Sequence, residues 1–102
     1  MELENADEGR HALAILRVLK NYSRRGITAM RIATESELAL DTVHELLGRH
    51  KDWFVRVGKE RRYTVNPFGE CKGDPENIAA AIEKKIERAR ARERILLSQV
   101  GL

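Results

Sequence analysis

Trp53-Phe54-Val55-Arg56-Val57-Gly58-Lys59-Glu60-Arg61-Arg62-Tyr63-Thr64-Val65 is the stretch that decides the fold. β-branched and aromatic residues flank Gly58-Lys59-Glu60-Arg61-Arg62, the pattern of a β-hairpin with a cationic tip. The pleat argues for a register, because a slip of one residue turns every side chain to the other face. A three-residue turn, Lys59-Glu60-Arg61, sets Val57 opposite Tyr63 and Val55 opposite Val65, with Trp53 on the same apolar face. Phe54, Arg56, Arg62 and Thr64 then lie on the wet face. The alternative, a two-residue turn, pairs Val57 with Arg62 and splits the apolar set. Pro67 and Gly69 close the hairpin.

Upstream, the apolar spacing becomes helical. Ala12, Ile15, Leu16, Leu19 and Tyr22 recur at intervals of three and four, which predicts an amphipathic helix from Asp7 to Tyr22 with acids near its N-terminus. Gly26 ends it and Ile27 can add a short strand. Thr28 is placed to cap a brief helix with Ala29, Ile32 and Ala33 inward. After the polar turn Thr34-Glu35-Ser36-Glu37, the positions of Leu38, Val43, Leu46 and Leu47 predict a helix from Leu40 to His50.

Downstream, Asp74 as N-cap, Pro75 and Glu76 mark the start of a long helix. Extended to Val100 it would measure ~39 Å, more than a core of this size can cover. Ile82, Ile86, Ala89, Glu93, Leu96 and Val100, with Ile78 one turn earlier, form a heptad-like seam broken by Glu93. The seam predicts a homodimer with Ile78, Ile82, Ile86, Ala89, Leu96 and Val100 at its interface. The alternative is that the helix folds back on its own domain. Arg88, Arg90, Arg92 and Arg94 around the seam read as a solvated face interleaved with Glu87 and Glu93.

The expected organisation is an acidic segment over residues 1–9, a domain over 10–69, a linker over 70–74 and a C-terminal dimerisation helix over 75–102. The fold class is α+β, mainly α with a small β-hairpin. The chain has 102 residues, 34% of them charged and 5% aromatic, so one domain with a small aliphatic core is expected. Its 19 Lys and Arg against 16 Asp and Glu leave only +3, but the charge is sorted along the chain. Residues 10–31 hold six bases and no acid, residues 32–47 hold four acids, and residues 49–62 hold six bases against two acids.

Ile32-Ala33, then Leu38, Val43 and Leu46-Leu47, followed by Trp53-Phe54-Val55 and Tyr63-Thr64-Val65, resembles the winged helix-turn-helix superfamily over residues 10 to 66. No single family within it is singled out. Members are mostly DNA-binding regulators, so the resemblance implies a recognition helix at Leu40 to His50 in the major groove of double-stranded DNA. It also implies a wing at Gly58 to Arg62 near the backbone or minor groove. Candidate base-contacting residues are Asp41, Thr42, His44, Glu45 and Arg49. Glu45 can accept from a cytosine amino group and Arg49 can read guanine, although Asp41 and Glu45 both oppose phosphate. Candidate phosphate contacts are Lys59, Arg61 and Arg62 on the wing, with Arg24, Arg25 and Arg31 beside the helices. Glu37 stands where the superfamily often has Gly at a left-handed position, which suggests a longer turn here.

The expected function is a double-stranded DNA-binding protein, a homodimeric transcriptional regulator that occupies an operator. The alternative is a protein-interaction module whose acidic helix meets a basic surface and whose C-terminal helix pairs with a partner. No enzymatic activity, metal or cofactor is expected. His11, His44 and His50 lack ligand spacing, and no glycine-rich phosphate loop is present. The lone Cys71, the acidic N-terminus and the absence of a long apolar run suggest a cytoplasmic protein with no membrane partner, nucleoid-associated if the source is prokaryotic.

Overall fold

The computed structural model describes residues 2–99, and Gln99 by its backbone alone. The described residues form an α+β fold of four helices, a three-stranded antiparallel sheet and a long C-terminal helix as the last of the four. In chain order they are α1 (Ala6–Leu19), β1 (Ile27–Thr28), α2 (Ala29–Ser36), α3 (Leu40–Arg49), β2 (Phe54–Val57), β3 (Arg62–Val65) and α4 (Pro75–Gln99). None of the described helices is long and apolar enough to cross a membrane.

Helix α1 begins where Asn5 accepts a hydrogen bond from the Glu8 amide at 2.9 Å, satisfying one of the free donors of the first turn. It ends at Leu19, three residues before the expected Tyr22. Thr28 caps α2 as expected, its hydroxyl accepting from the Arg31 amide at 3.3 Å. The expected inward residues Ala29, Ile32 and Ala33 are buried, and so are Val43, Leu46 and Leu47 of α3.

Between α2 and α3 the turn is short, not lengthened. Glu37 itself takes the left-handed conformation (φ 60°, ψ 28°), and the Leu38 amide reaches back to the Ala33 carbonyl at 3.1 Å. A residue with a Cβ is strained there by ~1 kcal/mol or more, which the closure of the turn and the burial of its flanking helices offset.

The sheet order is β1-β3-β2, so the hairpin's second strand is central. Its register corrects the sequence expectation. Val57 pairs with Arg62, Arg56 with Tyr63, Val55 with Thr64 and Phe54 with Val65, the alternative in which the apolar set is split. The reason lies in the aromatic pair. Trp53 sits in the turn before β2, outside the strand's alternation, so it can be buried at the same time as its neighbour Phe54. Phe54 then faces inward opposite Val65 and is 1% exposed, whereas Val55 and Val57 remain half-buried. An inward phenylalanine removes more apolar surface from water than either valine. β1 adds a pairing that the hairpin alone does not require, Ile27 with Tyr63 and Thr28 with Arg62.

Helix α4 closes the core from the other side. Ile78, Ile82, Ile86 and Ala89, expected at an interface between chains, are buried within their own chain, where α4 lies along α1. This close approach depends on Gly9. A Cβ built there would lie 2.2 Å from Ile86 Cγ1 and 2.8 Å from a Leu3 methyl. Leu3 and Ile86 therefore belong to one core, and neither the acidic N-terminal segment nor the C-terminal helix stands apart from the domain. Leu96 is exposed, and Val100 lies outside the described residues.

Two stability measurements check this account. Ile82→Ala should lower the unfolding free energy by ~2–5 kcal/mol in urea, the range for emptying a fully buried isoleucine site. Glu37→Gly should raise it by about 0.5–1 kcal/mol, because glycine adopts the left-handed conformation without a steric penalty.

Candidate nucleic-acid interface

The strand pair β1 and β3 sets the geometry of the charged surface. Gly26, at φ 79°, lies so close to β3 that a Cβ would sit 2.7 Å from the Tyr63 carbonyl oxygen. Only glycine permits the loop between α1 and β1 to close onto the hairpin in this way. That loop carries Arg24 and Arg25. Arg25 therefore lines one shallow depression together with Val57, Gly58, Lys59, Glu60 and Arg62 of the hairpin. Arg24 turns to the hairpin's other end, where its guanidinium packs against Gly73.

The expected cations divide into two groups. Lys59, Arg61, Arg24 and Arg25 are exposed and make no ion pair among the described residues. Arg62 is held to Glu60 at 2.7 Å, across a tip in which Gly58 (φ 68°) supplies the left-handed step. Arg31 is paired with Glu35 at 2.9 Å and lies 5.2 Å above the Tyr22 ring, while the Tyr22 hydroxyl donates to the same carboxylate. The Tyr22 and Arg31 hydrogen bonds hold the Glu35 carboxyl below its usual range, and Glu35 in turn holds Arg31 charged.

Helix α3 presents Asp41, His44 and Glu45 to solvent, with Thr42 half-buried. Arg49 is not an outward guanine reader. It is drawn to the helix edge, with Glu4 at 2.8 Å, Glu8 at 3.4 Å and Glu45 at 3.8 Å. The described outer face of α3 is consequently more acidic than the sequence suggests, because its one arginine is already neutralised by the N-terminal segment.

Two features stand outside the candidate residues named from sequence. Arg56, expected on the wet face, is exposed on β2 opposite Tyr63 and adds a cation to the hairpin. The second is a buried ionic junction between α1 and the end of α3. Glu8 receives the His50 ring nitrogen at 2.8 Å on one oxygen and the Glu4 amide at 2.6 Å on the other. His50 stacks on Trp53 with ring centres 4.5 Å apart. The signal was an acid in the first turn of a helix and a histidine at the end of another, which no periodicity connects. Burial alone would raise the Glu8 carboxyl, but the Glu4 amide, His50 and Arg49 together hold it below its usual range. Burial lowers His50, against the pull of Glu8, so the neutral ring donates to a charged carboxylate.

Burial is also the first cause that pushes the Cys71 thiol up, followed by Asp52, Glu70 and Asp74, so it lacks the electropositive surroundings of a reactive cysteine. Among the described residues no three His, Cys, Asp or Glu side chains converge on a point that could hold a metal ion. No family model, no curated protein and no solved structure matches this chain.

The junction has a pH signature of definite sign. A histidine and a carboxyl that are both depressed in the folded state contribute stability at higher pH and lose it as pH falls. Thermal unfolding should therefore shift to lower temperature as the pH drops below about 6.5, and further through the carboxylate range. His50→Gln should flatten the first part of that dependence. An unchanged profile in this variant would show that His50 is not the titrating group.

Proposed function

We propose that this chain is a winged helix-turn-helix protein that binds double-stranded DNA, with the wing and the α1–β1 loop acting together as a phosphate clamp. The order of elements supports the reading: a helix, a short strand, two helices joined by a tight turn, and a hairpin whose second strand pairs with that first strand. The observation that carries it is the depression in which Arg25 meets Lys59 beside the Glu60–Arg62 pair. A cationic concavity of this kind fits a phosphate backbone better than an isolated hairpin tip does.

In this reading α3 enters the major groove with little electrostatic help. Asp41 and Glu45 repel phosphate, and Arg49 is held by Glu4 and Glu8, so the free energy of association comes from the wing side. The role of α3 is selection, with Glu45 able to accept from a cytosine amino group and repelled by the acceptor edge of guanine or thymine. The biological role that fits is a transcriptional regulator acting by occupancy of its site. One observation favours a second reading: the acidic exposed face of α3 could instead meet a basic protein surface.

Fluorescence anisotropy on unrelated duplex DNA over a series of salt concentrations separates the two. With Arg25, Lys59 and Arg61 unpaired on the clamp side, the logarithm of affinity should fall with log salt at a slope of about −3. Replacing Arg25, Lys59 and Arg61 by alanine should reduce the slope by about 3 and weaken binding at every sequence alike. Absence of binding at low salt, or binding indifferent to the triple substitution, would sink the clamp and leave the protein-partner reading.

A further inference from the structure

We infer that a second copy of this chain docks on the outer flank of α4, in an antiparallel two-fold arrangement centred between Ile86 and Glu87. This inference is independent of the nucleic-acid reading.

The α1-facing seam of α4 is filled by its own core, but the helix has a second stripe beside it. Glu76, Ala79, Glu83, Glu87, Arg90, Arg94 and Leu97 recur at spacings of three and four, and so lie on one flank over ~32 Å. Depressions run along this flank without a break. One is a pocket of about 450 Å³ whose apolar floor is Leu13, Leu16, Pro75 and Ala79. It shares Leu13 and Glu83 with a second, which shares Glu87 and Arg90 with a third that ends at Leu97. The stripe is thus an apolar socket at one end and an exposed leucine at the other. Leu97 is 67% exposed at the end of a helix whose last buried residue is Ala89.

Charge along the flank is arranged to complement itself when reversed. On the stripe itself the socket end carries Glu76 and Glu83, with Arg17 and Lys20 on the α1 side, and the other end carries Arg90 and Arg94, with Glu87 and Glu93 beside them. An antiparallel partner puts Glu83 opposite Arg90, Ala79 opposite Arg94 and Glu76 opposite Leu97, and the two-fold axis repeats each pairing. Arg94 then falls between Glu76 and Glu83 of the second copy, and Glu93 falls beside Lys84. Leu97 reaches the Leu13, Leu16, Pro75 and Ala79 socket, where Arg17 and Lys20 form the far rim. Glu87 approaches its own symmetry copy near the axis, with Arg90 one turn away to offset the repulsion. Neither Glu83 nor Arg90 has an ion-pair partner among the described residues of its own chain, so both are available. A parallel pairing would instead set Glu83 against Glu83 and Arg90 against Arg90, and leave the Leu13, Leu16, Pro75 and Ala79 socket empty. Reversed pairing is what makes a second copy, and not an unrelated helix, the occupant that fits.

Sedimentation velocity without DNA tests this over a micromolar to millimolar series. Wild type should sediment at twice the 11.7 kDa chain mass. Glu83→Arg and Arg90→Glu, each alone, should raise the dissociation constant about tenfold or more. An equimolar mixture of the two variants should restore the dimer, since each then offers the charges that the other lacks. That rescue excludes simple unfolding as the cause. Leu97→Asp should also give monomer, with an unchanged thermal midpoint at low concentration. A monomeric wild type, a dimer insensitive to these substitutions, or a mixture that stays monomeric would overturn the inference.

Discussion

The contact between Gly9 and Ile86 is the constraint on which the rest of this structure depends. With no side chain at residue 9, α4 can approach α1 closely enough for Ile78, Ile82, Ile86 and Ala89 to complete the core. The consequences extend both ways along the chain. At the N-terminus, Leu3 packs into the same contact, and Arg92 donates to its carbonyl while Arg88 pairs with Glu2 at 3.1 Å. Toward the C-terminus, the isoleucine seam is used up inside the molecule, so the last turns of α4 extend past the core with Ile95, Leu96 and Leu97 in water. A helix of 25 residues spans ~37 Å, and only its first part has anything of its own chain to cover.

The anchored N-terminal segment also redistributes charge. Glu4 and Glu8 take Arg49 from the face of α3, and Glu8 takes the His50 ring, which is stacked on Trp53. A buried pair of this kind adds little net stability when intact, yet removal of one partner leaves an unsatisfied group in a dry site. Its clearer effect is directional. It fixes the end of α3 against the start of α1, and so fixes the angle at which α3 leaves the turn at Glu37. The basic loop at Arg24 and Arg25 is fixed from the other side by the pairing of β1 with β3.

Most of the fold was legible because it follows from short-range periodicity. Thr28 as a cap, Ala29, Ile32 and Ala33 inward, Val43, Leu46 and Leu47 inward, and Asp74-Pro75 as a helix start are all local patterns. The hairpin was legible but its register was not, because the pleat argument counted Trp53 as part of the strand. Once Trp53 belongs to the preceding turn, Phe54 becomes the inward residue and the register moves by one. The seam of α4 was read correctly as apolar, but its partner was not, since heptad spacing does not say whether the facing helix belongs to the same chain. Gly9 carried that information, and a glycine within a helix gives it only when the helix it meets is known. Among the candidate phosphate contacts exposure was legible and pairing was not, whereas Thr42 and Arg49, expected to face outward from α3, are half-buried. Arg31, Arg49 and Arg62 each met a carboxylate, and for Arg49 the strongest of these comes from a segment more than forty positions away.

This sorting of cations narrows what the charged surface can do. Coulomb attraction to a polyanion grows with the number of charges not already neutralised by neighbours, and a cation 2.8 Å from a carboxylate contributes little at a distance. The formal +3 of the whole chain therefore says less than the position of its unpaired members. Arg25, Arg56, Lys59 and Arg61 stand on the hairpin side with Arg24 at the hairpin's other end, while the solvent face of α3 keeps Asp41 and Glu45. An approaching polyanion is then attracted at the hairpin and repelled at the helix. A partner with a continuous negative edge beside a surface that offers hydrogen-bond donors satisfies both. Under the proposed function that partner is duplex DNA, with phosphates along the strand and cytosine amino groups in the major groove.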